Sequence, residues 1–439
     1  MTNGSDASSG GAGPVAADVL VVGGGMAAVM AALAARDAGA SVVLVRRSPG
    51  ATALSSGAIG VAPAHGATAA DPFSGRPGPV DSARRIAAAR PDHPYARLGV
   101  AVGRLEEALP FAAARLDLLA PYTGRSRWIA TPYGSAAECA LCQRTMAPGD
   151  LAVAGPVAAV GFRGHLGWDA RLVAHGVARL RAAGAPPAEA VEIDAFRTEA
   201  GAVAWPHELA RALEQPGAAE ETGARLREAL PPGTEVALFP PVLGLASQSS
   251  VCDRIAAAAG VAVAETVADV PSVPGLRLDQ ALRAALVAAG VRVVEGSLDE
   301  ARGPSAPVIV RGLEISAAAW VLASGRFIGG GIVRRGALLE PLLNLPVEAS
   351  EGGAAGFHLA RRPSASLTQR ERGAPQPLLA AGLRVDDRLR PVDTRGRPVH
   401  EALFAAGAVI GGHEHASDGT GLGVAMLTGY LAGRYASGR

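Results

Sequence analysis

Residues 411–423 read GGHEHASDGTGLG and hold several groups able to move a proton. His413 and His415 titrate near neutrality and can take a hydroxyl proton as hydride leaves the adjoining carbon; Glu414 or Asp418 can do the same. The same residues also suit a solvated polar loop. Arg326, in SGRFIGGG (324–331), follows a strand-like run and is placed either to pair with a phosphate or to form a surface ion pair. Cys139 and Cys142 have C-x-x-C spacing, but no second pair and no nearby histidine completes a zinc site, so no metal is expected. His93, in HPY, reads as a loop histidine satisfied by backbone.

Such groups need elements to position them, and the first is DVLVVGGGMAAVMAALAA (18–35). An apolar strand, the turn Gly23-Gly24-Gly25 and a small-residue helix make the opening of a nucleotide-binding βαβ unit. Gly23 permits the sharp turn, Gly25 lets N–H groups approach a phosphate, and Ala28 keeps the helix close to the strand. The helix then offers unpaired N–H groups and the positive end of its dipole to the anion. ASVVLVR (40–46) suits a second, buried parallel strand. At its end, where an adenosine ribose usually meets an acid, stand Arg46 and Arg47. Arginine there can meet a phosphate, or the cofactor lacks the adenosine half. In ATALSSGAIG (51–60) the Ser55 and Ser56 hydroxyls and the Gly57 N–H are available to a ligand, although the segment also suits a surface turn.

The C-terminal end completes the unit. LFAAGAVIGG (403–412, with Gly407) reads as a last strand and turn, and residues 419–436 as a helix entered through glycines. The N–H groups of Gly421, Leu422 and Gly423 can stabilise negative charge on a bound cofactor. A second glycine-rich strand exit, with Gly325, brings the chain back beside the bound cofactor. The expected fold is therefore α/β: a Rossmann-like domain split in sequence (17–66 and 271–439) around an inserted cap or substrate region (67–270). Within that insert, alternating strands and helices from residue 157 to 266 predict a small parallel sheet. A loop-rich stretch is expected up to Arg390 or so.

Composition narrows the function classes. The chain has 439 residues, enough for two or three domains, with 49% hydrophobic but only 4% aromatic residues, so Ala, Val and Leu must build the core. The 41 basic residues, all arginine, balance 40 acidic ones, which argues against nucleic acid as the main partner and removes lysine Schiff-base chemistry. Three cysteines point to a reducing compartment, and residues 1–16 read as a disordered Gly/Ala/Ser tail and not a signal peptide. A cytoplasmic location is expected, with peripheral attachment to the inner face of the cell membrane through a partner left open.

Together VVGGGMAA, ALSSGA, VLASGRFIGGG and LFAAGAVIGG…GTGLG resemble a flavoprotein dehydrogenase of the broad succinate dehydrogenase/fumarate reductase type. HPY, TPYG, PSVPGLRL, EPLLNLPV (340–347) and LRVDDRLRPVD (383–393) narrow the resemblance to the family of anaerobic glycerol-3-phosphate dehydrogenase B subunits. It covers most of the chain from residue 17 on, less strongly between 96 and 235. The resemblance implies oxidation of sn-glycerol 3-phosphate to dihydroxyacetone phosphate with electrons passed to a quinone. It also implies two partners: an FAD-carrying catalytic A subunit, and an iron–sulfur protein that docks the pair on the membrane. FMN is the expected cofactor, since it has no ribose to be held by the acid missing at Arg46; FAD is the alternative. Two other readings stay open: an electron-relay or assembly component without catalysis of its own, and an independent flavin dehydrogenase of another small hydroxy acid.

Overall fold

The computed structural model describes residues 13–62, 73, 78–153, 155–181, 188–194, 203–298, 301–351, 354–371, 374 and 376–438. Its central sheet begins with β1 (Val15–Val22), which continues through the glycine turn into α1 (Met26–Asp37) and β2 (Val42–Arg46). The strand starts two residues inside the segment expected to be a disordered tail, and residues 1–12 lie outside the described residues. β1 is flanked in parallel by β2 on one side and by the strand Leu313–Leu322 on the other. The strand Arg292–Glu295 extends the sheet beyond β2, and Leu403–Ala405 pairs in parallel with Leu313–Leu322. Val308–Val310 adds an antiparallel edge. All five residues of β2 are buried, as a strand covered on both faces must be.

Small residues decide the helix layer. Every residue of α1 from Met26 to Ala35 is buried, beneath the C-terminal helix Gly421–Ala436 and the helix Val273–Ala288. A Cβ on Gly429 would lie 2.4 Å from the Ala27 carbonyl oxygen, and one on Gly433 2.2 Å from that of Ala31. The C-terminal helix therefore lies directly on the backbone of α1, which glycine alone allows at these two points.

The insert carries the expected second sheet, in the order Ala188–Ile193, Val157–Phe162, Val236–Phe239, Ala262–Glu265, all parallel, with its own apolar cores. The single helix expected over 208–230 is two, Pro206–Leu213 and Ala218–Ala229, parted where Gly217 turns left-handed at φ +78°. The helices Pro79–Ala89 and Leu105–Arg115 contribute Ala83, Leu105 and Leu109 to the same core as β1, so the first third of the insert packs with the nucleotide domain. Where a loop-rich stretch was expected there is a third, antiparallel sheet: Val333–Arg335, Ala337–Glu340, Leu345–Glu351, Ala354–Gly356 and Gly382–Leu383. No helix among the described residues is long and apolar enough to cross a membrane.

Candidate functional site

The glycine turn sits at the C-terminal edge of the parallel strands, where open α/β sheets bind ligands. Gly23 adopts φ +142°, and a Cβ there would meet the Ala323 carbonyl oxygen at 2.1 Å; one on Gly24 would meet that of Ser48 at 2.4 Å. The atoms that crowd these two glycines are the chain's own carbonyls, and the positive φ of Gly23 is the sharp turn expected of it. Gly25 caps α1, and Thr52 Oγ1 accepts the Met26 N–H at 2.9 Å. The Gly24 and Gly25 N–H groups meet no acceptor among the described residues, and both residues are half-buried at the surface. Ala28 is fully buried and serves packing alone.

A second helix start lies against the first loop. Gly60 and Gly423 meet so closely that a Cβ on Gly423 would lie 2.4 Å from the Gly60 carbonyl oxygen, and the Gly423 N–H donates to that oxygen at 3.1 Å. Gly423 is therefore committed to the protein, whereas the half-buried Gly421 and Leu422 N–H groups find no acceptor among the described residues. Ser55 and Ser56 turn inward on their own loop: Ser55 Oγ accepts the Gly57 N–H, and Ser56 Oγ donates to the Ala58 carbonyl. Gly57, at φ +83°, is pinned because the Gln143 amide donates to its carbonyl and to that of Pro274. Gly407 packs on Ala27 and gives its N–H to Thr428 Oγ1. Gly325 makes a left-handed turn at φ +76° where the chain leaves the strand Leu313–Leu322.

The charged candidates fare differently. Arg326 is buried and donates to the carbonyls of Leu379, His413 and Ile410, the last two at 3.1 Å. Its guanidinium ties its own turn to the short helix Pro377–Ala380 and to the 410–413 turn, where the sequence allowed either a phosphate ligand or a surface ion pair; burial lowers its pKa to about 10, against the pull of Glu414 and Asp418. Arg46 is buried at the end of β2, and its Nε lies 3.3 Å from Glu295 Oε1, an ion pair without a hydrogen bond. It too is turned into the protein. His413 is buried, with its ring 6.0 Å from that of His93. His93 caps the short helix Pro94–Arg97, its Nδ1 accepting the Tyr95 N–H at 3.1 Å; burial, with Arg90 nearby, depresses its pKa to about 3. The His415 side chain lies outside the described residues. Cys139 and Cys142 are free and buried beside Ile129 and Met146, and burial pushes the Cys142 thiol up to about 12. Among the described residues no group of three or more His, Cys, Asp or Glu is placed to hold a metal.

A cavity of about 820 Å³ opens beside the turn that precedes the C-terminal helix, lined by Arg90, Asp92, Arg97, Glu348, Gln376, Arg384, Glu414 and Asp418 among others. Arg90 is ion-paired to Asp418 at 2.5 Å and donates to the Gly412 carbonyl at 3.0 Å. Arg97 pairs with Glu348, whose carboxyl burial raises in spite of Arg97 and Arg384. Glu414 Oε2 accepts the Gln376 N–H at 3.1 Å, and its other oxygen accepts no hydrogen bond among the described residues. Arg384 is exposed, and its guanidinium donates none among the described residues. Sequence reasoning passed over Thr52, Arg90, Arg97, Glu348 and Arg384, because a lone Arg or Glu carries no spacing signal. Only the hydroxyl-rich 51–60 segment pointed near Thr52.

A family profile described as "FAD binding domain" matches residues 18–424. A Halobacterium salinarum protein, named as a probable B subunit of anaerobic glycerol-3-phosphate dehydrogenase, is 31% identical over 96% of this chain and 98% of its own length. Its Pectobacterium atrosepticum counterpart, named as the B subunit of the same enzyme, is 30% identical over 94% and 96%. Among solved structures, 3-ketosteroid-Δ4-(5α)-dehydrogenase from Rhodococcus jostii RHA1 superimposes with a TM-score of 0.41 at 15% identity, covering 98% of this chain and 99% of that one. The family match supports a flavin, and gives FMN no preference over FAD.

Proposed function

Because this chain belongs to the FAD binding domain family and, within it, to the anaerobic glycerol-3-phosphate dehydrogenase B subunits, we propose that it works as the flavin-carrying member of a complex oxidising sn-glycerol 3-phosphate to dihydroxyacetone phosphate. In this reading the electrons pass to a quinone. The partners are an FAD-carrying A subunit, and an iron–sulfur protein that docks the pair on the inner face of the membrane. We take FAD, in place of FMN, as the cofactor. The free N–H groups of Gly24 and Gly25 would hold its phosphates, and those of Gly421 and Leu422 would face its ring. When bound, the flavin supplies the hydride acceptor.

The observation that carries this reading is the charged cavity beside the turn leading into the C-terminal helix. The Arg384 guanidinium, which donates no hydrogen bond among the described residues, suits a phosphate monoester. Glu414 is oriented through one oxygen by the Gln376 N–H and keeps the other for a substrate hydroxyl, so it is the proton acceptor we favour over His413, which does not line the cavity. The Arg90–Asp418 pair holds the turn in place. In the assembled complex, assayed with glycerol 3-phosphate and a dye acceptor, Glu414→Gln should lower kcat about 100-fold with flavin content unchanged. Unchanged turnover would remove Glu414 from the chemistry. Turnover that survives loss of this chain's flavin would assign the oxidation to the partner.

A further inference from the structure

We propose that Glu295 is the carboxylate that holds the ribose of the cofactor's adenosine half, standing in from the neighbouring strand for the acid missing at the end of β2. The inference rests on the FAD reading above and names the residue that would distinguish FAD from FMN. A dinucleotide seated at the turn after β1 runs outward across the ends of the adjacent parallel strands. Here those are β2 and then Arg292–Glu295. Arg46 and Glu295 are in-register partners, each the last residue of its strand, and the Gly296 N–H donates to the Arg46 carbonyl at 2.8 Å. The two strand ends are therefore level.

The side chains then divide the work. Arg46 is 4% exposed and reaches sideways to within 3.3 Å of Glu295 Oε1, whereas Glu295 is 56% exposed. The buried arginine thus lies against one carboxylate oxygen at the sheet edge, and the other accepts no hydrogen bond among the described residues. A carboxylate accepts only, so it matches the vicinal hydroxyl donors of a ribose. Arg47 reaches the opposite way, its Nη2 3.4 Å from the Gly329 carbonyl oxygen. A Cβ on Gly330 would lie 3.0 Å from that nitrogen, so the glycine leaves the guanidinium its room. One cation is thus held at Gly329, and one carboxylate stands two strands out from β1, on the side towards which the adenosine half of a dinucleotide would extend.

The test is titration of the flavin-depleted full chain with FAD and, separately, with FMN, followed by flavin fluorescence, for the wild type, Glu295→Gln and Glu295→Asp. Glu295→Gln should weaken FAD about tenfold, the scale of one lost hydrogen bond to a charged group, and leave FMN affinity unchanged. Glu295→Asp should recover part of the loss. Equal weakening of both flavins, or of neither, would overturn the assignment and leave the FAD reading standing. A wild-type chain that takes up FMN only would overturn both.

Discussion

His93 shows what burial does to a single side chain here. Its ring is wholly buried, accepts the Tyr95 N–H and stays neutral down to a pKa of about 3, against 6.5 for an exposed imidazole. Between those two values the unfolded chain binds a proton that the folded chain refuses, so stability is full above pH 6.5 and is lost as pH falls towards 3. His165, held near 4 by burial, adds to the same slope. His93→Asn, which keeps a cap acceptor for Tyr95, should lose less stability than the wild type between about pH 7.5 and 5 when urea midpoints are compared. Identical pH slopes would mean that the proton is taken up elsewhere. The HPY motif had already suggested a backbone-satisfied loop histidine. What it could not show was the position of that ring 6.0 Å from His413, because 320 residues separate them.

At the scale of elements, the pairing of α1 with the C-terminal helix matters most. The sequence shows a small-residue helix and a helix entered through glycines, and the structure sets Gly429 and Gly433, four apart, on the face that meets Ala27 and Ala31. Gly433→Val would drive a branched side chain onto the Ala31 carbonyl. Moving the helices apart should cost about 1–3 kcal/mol of unfolding free energy, measured by denaturant titration, although valine is otherwise tolerated in helices. Full stability would show that the pair can slide. Farther out, the buried Arg277–Glu265 ion pair, 2.6 Å, ties the helix Val273–Ala288 to the last strand of the cap sheet, with Glu265 also accepting the Leu243 N–H. The second parallel sheet is thus tied by a buried ion pair to a helix that packs on α1.

Across the whole molecule, the elements proposed to hold the cofactor come from opposite ends of the chain. Gly24 and Gly25 are joined with Gly421 and Leu422 only because the C-terminal helix lies over α1 and Gly423 docks on Gly60. Adding FAD should therefore slow amide exchange near residues 24–28 and 421–424 together, and leave the cap strands 157–162 and 236–239 unchanged, as followed by hydrogen-exchange mass spectrometry. Protection at the N-terminal turn alone would break the split-site reading.

The strand–turn–helix opening, the closing strand and glycine helix, the parallel cap sheet and the family were all legible in residue order, because each depends on local periodicity and on short-range turn chemistry. The antiparallel sheet of 333–383 was not, because most of its strands are too short to show an alternating period, although three of its four pairings join neighbours in sequence. The direction of side chains was equally hidden. Arg326 and Arg46 had the charge for a phosphate, but folding buries both and commits them to carbonyls and to Glu295. The acid that the chain lacks at the end of β2 stands on the next strand, nearly 250 residues later, where only sheet register brings it alongside.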